Sequence, residues 1–468
     1  MHFIHSTRRA RVNNAFCVLL MCAAAVSHAA ANRPISVNPA NPHYFLGMDG
    51  RPVLFLSHAD NAVATEGLSD PQWHWYLDEC GRNGLNLAKF IGFNVADRDD
   101  PAINQIQPYA RVPDSGRTTF GHPKWDLDRW NEAYFALLRQ VCSYAEKRGV
   151  YIQVQLWNHI NIKPGHEPYR WDGCAFNPEN TVTHTAAYGF PGNGGDGSRV
   201  FYASLENKAL VGGKTLLQRQ EELFDRVVKA TRDYPNVFYE LGLEVSPGTA
   251  WARHWVERLH RLAPGKPIIA DITHYHGDHG FFDGYTRHQV SSDNDSIPKE
   301  LYATGRMAIE DTDFIDDWAG NDLAKARAAA WLAVCSGVSF TDFRITENVF
   351  VLNGSRGIRW KRPEVVRQLA NIRRLFQDQE IPFWNMAPND SLATDGADVL
   401  AGDGRFVVYT RHGEFSFRLP AGSFYAEWYD PRHGSFTPFP TVAGGTRQFR
   451  PPTSEDWVLY LRSAAVQQ

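Results

Sequence analysis

Two acidic stretches stand where strands would end. In the first, Val237 to Val245, two-residue alternation puts Phe238, Glu240, Gly242 and Glu244 on one side. Glu244 is at the exit, and Glu240 lies ~13 Å further back at ~3.3 Å per residue. The second stretch, Arg306 to Thr312, carries Glu310 at its exit, followed by Asp311. Two glutamates facing one cleft could open an acetal. One would protonate the leaving oxygen while the other attacks the anomeric carbon. Either one alone would serve as readily in a rim ion pair with Arg or Lys.

A third stretch, Thr273 to Gly280, places His274, His276, Asp278 and His279 in the HxHxDH spacing. Imidazoles and a carboxylate brought together can hold zinc and activate water. The metallo-hydrolase fold with that spacing needs further His ligands downstream. After His288 the next are His412 and His433, in a region of short strands. The expectation is therefore no metal and no cofactor, with a metal-dependent hydrolase on residues 274–279 as the alternative. In the first case His274 and His276 would bind substrate hydroxyls. Lys89, Trp157, Asn158, His159, Asp342 and Arg344 sit in or just after strand-like runs and could line the same cleft.

A scaffold must bring these residues together. Eight apolar, β-rich runs recur along residues 53–343: Val53–Leu56, Leu85–Phe93, Val150–Trp157, Val237–Glu244, Pro267–Thr273, His288–Ser292, Met307–Glu310 and Val338–Phe343. Near-continuous apolar runs suit parallel strands buried on both faces. Helical patterns separate them. Asp126 is the expected cap of a helix ending at Gly149, and 216–232, 321–336 and 363–377 are further helices. The sixth unit is the weakest, since 281–305 has little helical periodicity. Eight strand–helix units predict an α/β fold, a (β/α)8 TIM barrel, with strand exits gathered on one catalytic face. Long insertions at 94–125 and 159–214 fall on that face. From about Ile381 short alternating strands (Phe406–Thr410, Phe415–Leu419, Phe424–Tyr429, Trp457–Leu461) predict a small antiparallel β-sandwich. The expected domains are a signal peptide at 1–31, the catalytic barrel at 32–380 and the C-terminal β-sandwich at 381–468.

Composition narrows the function classes. Lys and Arg number 48 against 52 Asp and Glu, a formal charge of −4, and no basic stripe is present. A nucleic-acid partner held through phosphates is not expected. Sixty aromatic rings (14 Trp, 18 Tyr, 28 Phe) supply flat surfaces of the kind that floor sugar clefts. Arg8, Arg9 and Arg11 precede an apolar run, Ala15 to Val26, and a small-residue cleavage site, as in a secretory signal peptide. No run is long enough to span a bilayer. Export to the periplasm or medium is the expectation. Beyond that segment Cys80, Cys142, Cys174 and Cys335 are widely spaced with no CxxC pair. Zinc-ribbon and thioredoxin readings fail, and buried free thiols are expected in a core of this size.

The run Tyr44-Phe45-Leu46-Gly47-Met48-Asp49-Gly50-Arg51-Pro52, continuing to Ser57-His58-Ala59-Asp60, resembles the strand-1 motif of the apiosidase-like (β/α)8 glycoside hydrolases. Trp428-Tyr429-Asp430-Pro431-Arg432-His433-Gly434 resembles the turn of the β-domain, labelled collagen-binding, that ends many of them. The resemblance implies a retaining enzyme of a carbohydrate substrate, with Glu244 as acid/base, Glu310 as nucleophile and Asp60 in the substrate site. Two departures stand out. Leu243 replaces the Asn usual before the acid/base, and Ser57-His58-Ala59-Asp60 replaces Gly-Asp-Thr. A non-catalytic carbohydrate-binding protein is therefore a further alternative.

Overall fold

The computed structural model describes residues 32–58, 70–97, 106–289, 295–312, 322–342, 346–350, 356–360, 362–411 and 413–465. The expected signal-peptide segment at 1–31, Asp60 and Arg344 lie outside the described residues.

Eight strands form one sheet: β1 (Leu56–His58), β2 (Leu87–Ile91), β3 (Tyr151–Asn158), β4 (Val237–Leu243), β5 (Ile268–Asp271), β6 (Gly284–Gln289), β7 (Met307–Thr312) and β8 (Ser339–Asp342). The order β1-β8-β7-β6-β5-β4-β3-β2 is parallel at every pairing. Asn86 closes the ring. Its amide donates to the Leu56 carbonyl at 3.1 Å, and its side chain bonds the backbone of Leu54 and Leu56 at 2.9 Å. Strands buried on both faces need apolar side chains on both, which is why β2 and β3 are buried throughout.

Among the described residues eight helices follow the strand exits or their loops: α1 (Asp70–Asn83), α2 (Glu132–Glu146), α3 (Ser198–Tyr202), α4 (Leu216–Thr231), α5 (Thr249–Leu262), α6 (Ile297–Ala303), α7 (Leu323–Cys335) and α8 (Pro363–Asp378). A capping box of Thr215 and Gln218 starts α4, and Asp322 caps α7. Asp126 does not cap α2. Residues Trp125–Trp130 form a strand paired with Tyr109–Arg111, and the helix begins beyond Asn131. The buried side chains at 125 and 127 alternate with more exposed ones at 126 and 128, as in a half-buried strand, so the helical period does not begin until after them. The sixth strand lies earlier than its sequence run, at 284–289, because the chain passes from β5 to β6 through a loop with no helix.

The lower lumen is apolar. Phe45, Phe55, Leu87, Tyr151, Phe238, Ile269, Met307 and Ile309 form one apolar cluster. A second, larger cluster lies between sheet and helices. These two clusters mark the inner and outer faces of the sheet through its apolar residues. All four described cysteines are buried and free.

The C-terminal region is one six-stranded antiparallel sheet: β9 (Ala387–Pro388), β10 (Asp398–Gly402), β11 (Arg405–Thr410), β12 (Phe415–Asp430), β13 (Ser435–Phe449) and β14 (Trp457–Ser463), ordered β9-β10-β11-β14-β12-β13. The two runs expected around Phe415 and Phe424 are a single strand, β12. Register shifts interrupt it at Leu419–Ser423 and Phe424–Ala426. Straight, Phe415 and Trp428 would stand ~43 Å apart; their rings are 6.3 Å apart, so β12 folds back over its own sheet. This bend builds two layers from a single sheet. The Asp430-Pro431-Arg432-His433-Gly434 stretch is the β12–β13 turn, closed by bonds from Arg432 and His433 to Asp430. Arg327 of α7 grips Asp456 through two 2.8 Å bonds, tying the sheet to the barrel.

Candidate active site

Above the apolar floor the lumen turns polar. Glu240 of β4 is buried and held on three sides. Gln153 and Gln155 of β3 donate to one oxygen at 2.8 and 2.7 Å, and Thr286 of β6 donates to the other at 2.9 Å. Burial raises its pKa, against the opposing pull of Lys89. Lys89 of β2 reaches across the lumen to Asp311 of β7 at 2.6 Å, with the two side chains 2% and 13% exposed. Thr341 of β8 donates to the other Asp311 oxygen at 2.7 Å, and His288 of β6 stands 3.6 Å away. Burial alone would raise the Asp311 pKa. The Lys89 charge and the His288 bond outweigh it and hold the carboxyl well below the usual range. Burial likewise works against the Lys89 charge, but Asp311 and Glu240 keep its pKa high.

Asp271, at the exit of β5, accepts from His274 Nδ1 at 2.6 Å. That bond, more than the burial opposing it, raises the His274 pKa. The His274 ring lies 6.5 Å from that of His288. Glu244 follows β4 at φ +52°, in the left-handed region that costs a non-glycine residue ~1–3 kcal/mol. The turn is possible because Gly242 lies against β3: a Cβ there would stand 2.3 Å from the Trp157 carbonyl oxygen. Lys163, from the insertion after β3, pairs with Glu244 at 2.8 Å, and both are partly open to solvent. His159 bonds Tyr202 at 2.9 Å; burial lowers its pKa and the nearby Glu244 opposes the shift.

The structure brings together Lys89, His159, Glu244 and His274, and among the described residues it separates Glu310, Asp342, Trp157, Asn158 and His276 from them. Glu310 does not reach the lumen. Met307 and Ile309 belong to the lumen floor and Asp311 meets Lys89 across the barrel, so alternation turns Glu310 outward with Ala308 toward the helices. It is 2% exposed, its Oε2 has no hydrogen-bond partner among the described residues, and burial pushes its pKa up to about 8. Asp342 shares the outer face with Phe340 and accepts from Thr312 at 2.9 Å. Trp157, 1% exposed, packs on Phe224, Trp251 and Trp255 and offers no open face. Asn158 caps the turn after β3 by accepting from the Ile160 amide.

The His motif does not converge either. His276 is exposed, Asp278 pairs with Arg253 at 2.8 Å, and His279 packs between Tyr275 and Tyr285. Among the described residues no three His, Cys, Asp or Glu side chains assemble as a metal-ligand set.

Sequence reasoning missed Gln153, Gln155, Lys163, Asp271, Thr286, His288, Asp311 and Thr341. A signal existed for several. Gln153 and Gln155 alternate with apolar residues in β3, and counting by two from Met307 arrives at Asp311 rather than Glu310.

Fold and site together describe a (β/α)8 barrel with a polar, carboxylate-bearing mouth and an appended antiparallel β-domain. Residues 390–462 match the family described as "Putative collagen-binding domain of a collagenase". A comparison with curated proteins finds no match. Among solved structures the chain is similar to a glycoside hydrolase family 5 protein from Bacteroides vulgatus ATCC 8482. That pair is 12% identical with a TM-score of 0.62, over 92% of this chain and 93% of the other. A structure described as a glycoside hydrolase aligns with 12% identity and a TM-score of 0.62, over 93% and 98% of the two chains. Another, described as a "putative glycoside hydrolase" from the same Bacteroides strain, aligns with 13% identity and a TM-score of 0.59, over 92% and 83%. At such identity the likeness establishes the shared two-part architecture.

Proposed function

We propose that the protein is a glycoside hydrolase acting on an oligo- or polysaccharide, with Glu244 as acid/base and Asp311 as the carboxylate facing the anomeric carbon. One observation carries this reading. The exits of β4 and β7 both bear carboxylates paired with a lysine, Asp311 buried against Lys89 inside the lumen and Glu244 beside Lys163 at the partly open rim, an arrangement suited to one attacking group and one acid/base. Asp311 is held anionic by Lys89 inside the lumen, fit to attack or to steady an oxocarbenium-like centre. Glu244 stands at the rim beside Lys163, partly open to water and so within reach of a leaving-group oxygen. The His274–Asp271 pair and Lys163 supply donors for sugar hydroxyls. The glycoside hydrolase descriptions of the structural neighbours and the motif resemblance to apiosidase-like enzymes support the same class. That resemblance favours retention of configuration. The basic-then-apolar N-terminal segment supports export.

The test is hydrolysis of aryl glycosides and polysaccharides by wild type, Glu244→Gln and Asp311→Asn, with product anomers followed by NMR. Each substitution is expected to lower kcat by at least about a thousandfold, a loss of roughly 4 kcal/mol of transition-state stabilisation. External azide should restore turnover in the Glu244 variant on substrates with good leaving groups. Full activity in Asp311→Asn would sink the assignment.

A further inference from the structure

We propose that the C-terminal sheet carries a second carbohydrate-binding site, a glycan groove centred on Tyr425. A cleft of about 330 Å³ lies there, at the lower end of the roughly 300–1,000 Å³ typical of small-ligand sites. Tyr425 is 51% exposed, and it is the only exposed large aromatic side chain among the described residues. Aromatic rings are otherwise drawn into the core, so an open one requires a reason. The local backbone gives one. The register shift between Phe424 and Ala426 leaves Tyr425 without a partner on β13, and such irregularities re-aim side chains.

The surroundings complete a sugar-shaped chemistry. Arg462 stands directly opposite Tyr425 on β14, its guanidinium 5.0 Å from the ring centroid. Glu427, two residues along the same face, is opposite Tyr460. Gln379, just past the end of α8, closes one end of the groove, and Phe439 adds apolar floor. A sugar ring has an apolar C–H face bordered by hydroxyls that both donate and accept. The Tyr425 ring can take the face, Arg462 can donate, Glu427 can accept, and the Gln379 amide can do either.

A peptide fits less well. β12 is flanked by β13 and β14, so its backbone is already paired and cannot add an extended strand. The proposal rests on the carbohydrate reading of the barrel only for the class of ligand. It places the groove outside the lumen, on the sheet, where it would hold a distant part of a polymer.

The experiment is affinity electrophoresis of Glu244→Gln, which keeps substrate from being consumed, in gels holding arabinoxylan, galactomannan, mixed-linkage glucan or rhamnogalacturonan. Retardation in at least one gel is expected. Adding Tyr425→Ala should weaken it about tenfold, the worth of one aromatic contact. Arg462→Met should weaken it less. Tyr425→Ala alone should leave kcat/KM on small aryl glycosides unchanged and raise KM on the retarding polymer. No retardation in any gel, retardation indifferent to Tyr425, or binding to immobilised collagen peptides instead would each overturn the proposal. The two readings fail separately. Tyr425-dependent retardation without wild-type hydrolysis would remove the glycosidase reading and leave the groove. Hydrolysis with Tyr425-indifferent binding would do the reverse.

Discussion

Glu310→Gln separates the barrel's inner face from its outer one. In the fold Glu310 is buried behind the sheet, and its pKa is pushed up to about 8. An unfolded glutamate titrates near 4.3. The folded group therefore holds its proton across a pH range where the unfolded group has lost it. Below about pH 4 both states are protonated and there is no penalty. From there to about pH 8 the unfolded state gains by ionising and the folded state does not, so stability falls as pH rises. Above pH 8 both are ionised and the penalty levels off. Gln is a neutral isostere and removes that slope. Each pH unit is worth a little over ~1 kcal/mol, so the stability of Glu310→Gln relative to wild type should rise by about 3 kcal/mol between pH 5 and 7. Burying the amide adds an offset that is the same at each pH, so the change with pH is the quantity to read. Urea unfolding at pH 5, 6 and 7 measures it. Activity on any substrate the wild type cleaves should stay within a few-fold. A flat stability difference combined with loss of turnover by orders of magnitude would refute the reasoning, because it would put Glu310 in contact with substrate.

Lys89→Met should destabilise the protein by about 3–5 kcal/mol at neutral pH by stranding Asp311, and the Lys89→Met/Asp311→Asn double variant should recover much of that loss in a double-mutant cycle of urea melts. Asp311 is held low in the fold, so its contribution is present above the unfolded carboxyl range and fades as pH falls through it; the Lys89→Met deficit should accordingly shrink in acid. Trp157→Ala should cost about 3–5 kcal/mol in thermal or urea unfolding through lost core packing, as expected of a buried ring among Phe224, Trp251 and Trp255. Chelator should leave hydrolysis unchanged and elemental analysis should find no stoichiometric zinc, since Asp278 and His279 point to different partners and His276 is exposed.

Much of this molecule was legible in its residues. Strands buried on both faces must be apolar throughout, and that demand marked seven of the eight barrel strands close to their positions. β6 was displaced because the chain reaches it without a helix, leaving no period to bracket it. Helix starts were legible where cap chemistry was complete, as at Thr215 and Gln218, and misplaced where Asp126 imitated a cap inside a strand. The bend in β12 was not legible, because the two halves of a folded strand read locally as two strands.

The candidate site divides in the same way. Residue types and strand ends were enough to locate carboxylates at the exits of β4 and β7 and to single out Lys89, His159, Glu244 and His274. Whether a side chain enters the lumen depends on strand parity, and in β7 one residue of parity exchanges Glu310 for Asp311. Parity is set by which neighbours form the apolar floor, and Met307 and Ile309 meet Phe238 and Ile269 only once the barrel closes. The same holds for charge. Lys89 and Asp311 are separated by more than two hundred residues, and only closure puts 2.6 Å between them and holds the carboxyl pKa low. Composition and periodicity are local and determine the elements. Facing, pairing and pKa depend on contacts between distant residues, and so only the tertiary structure decided them.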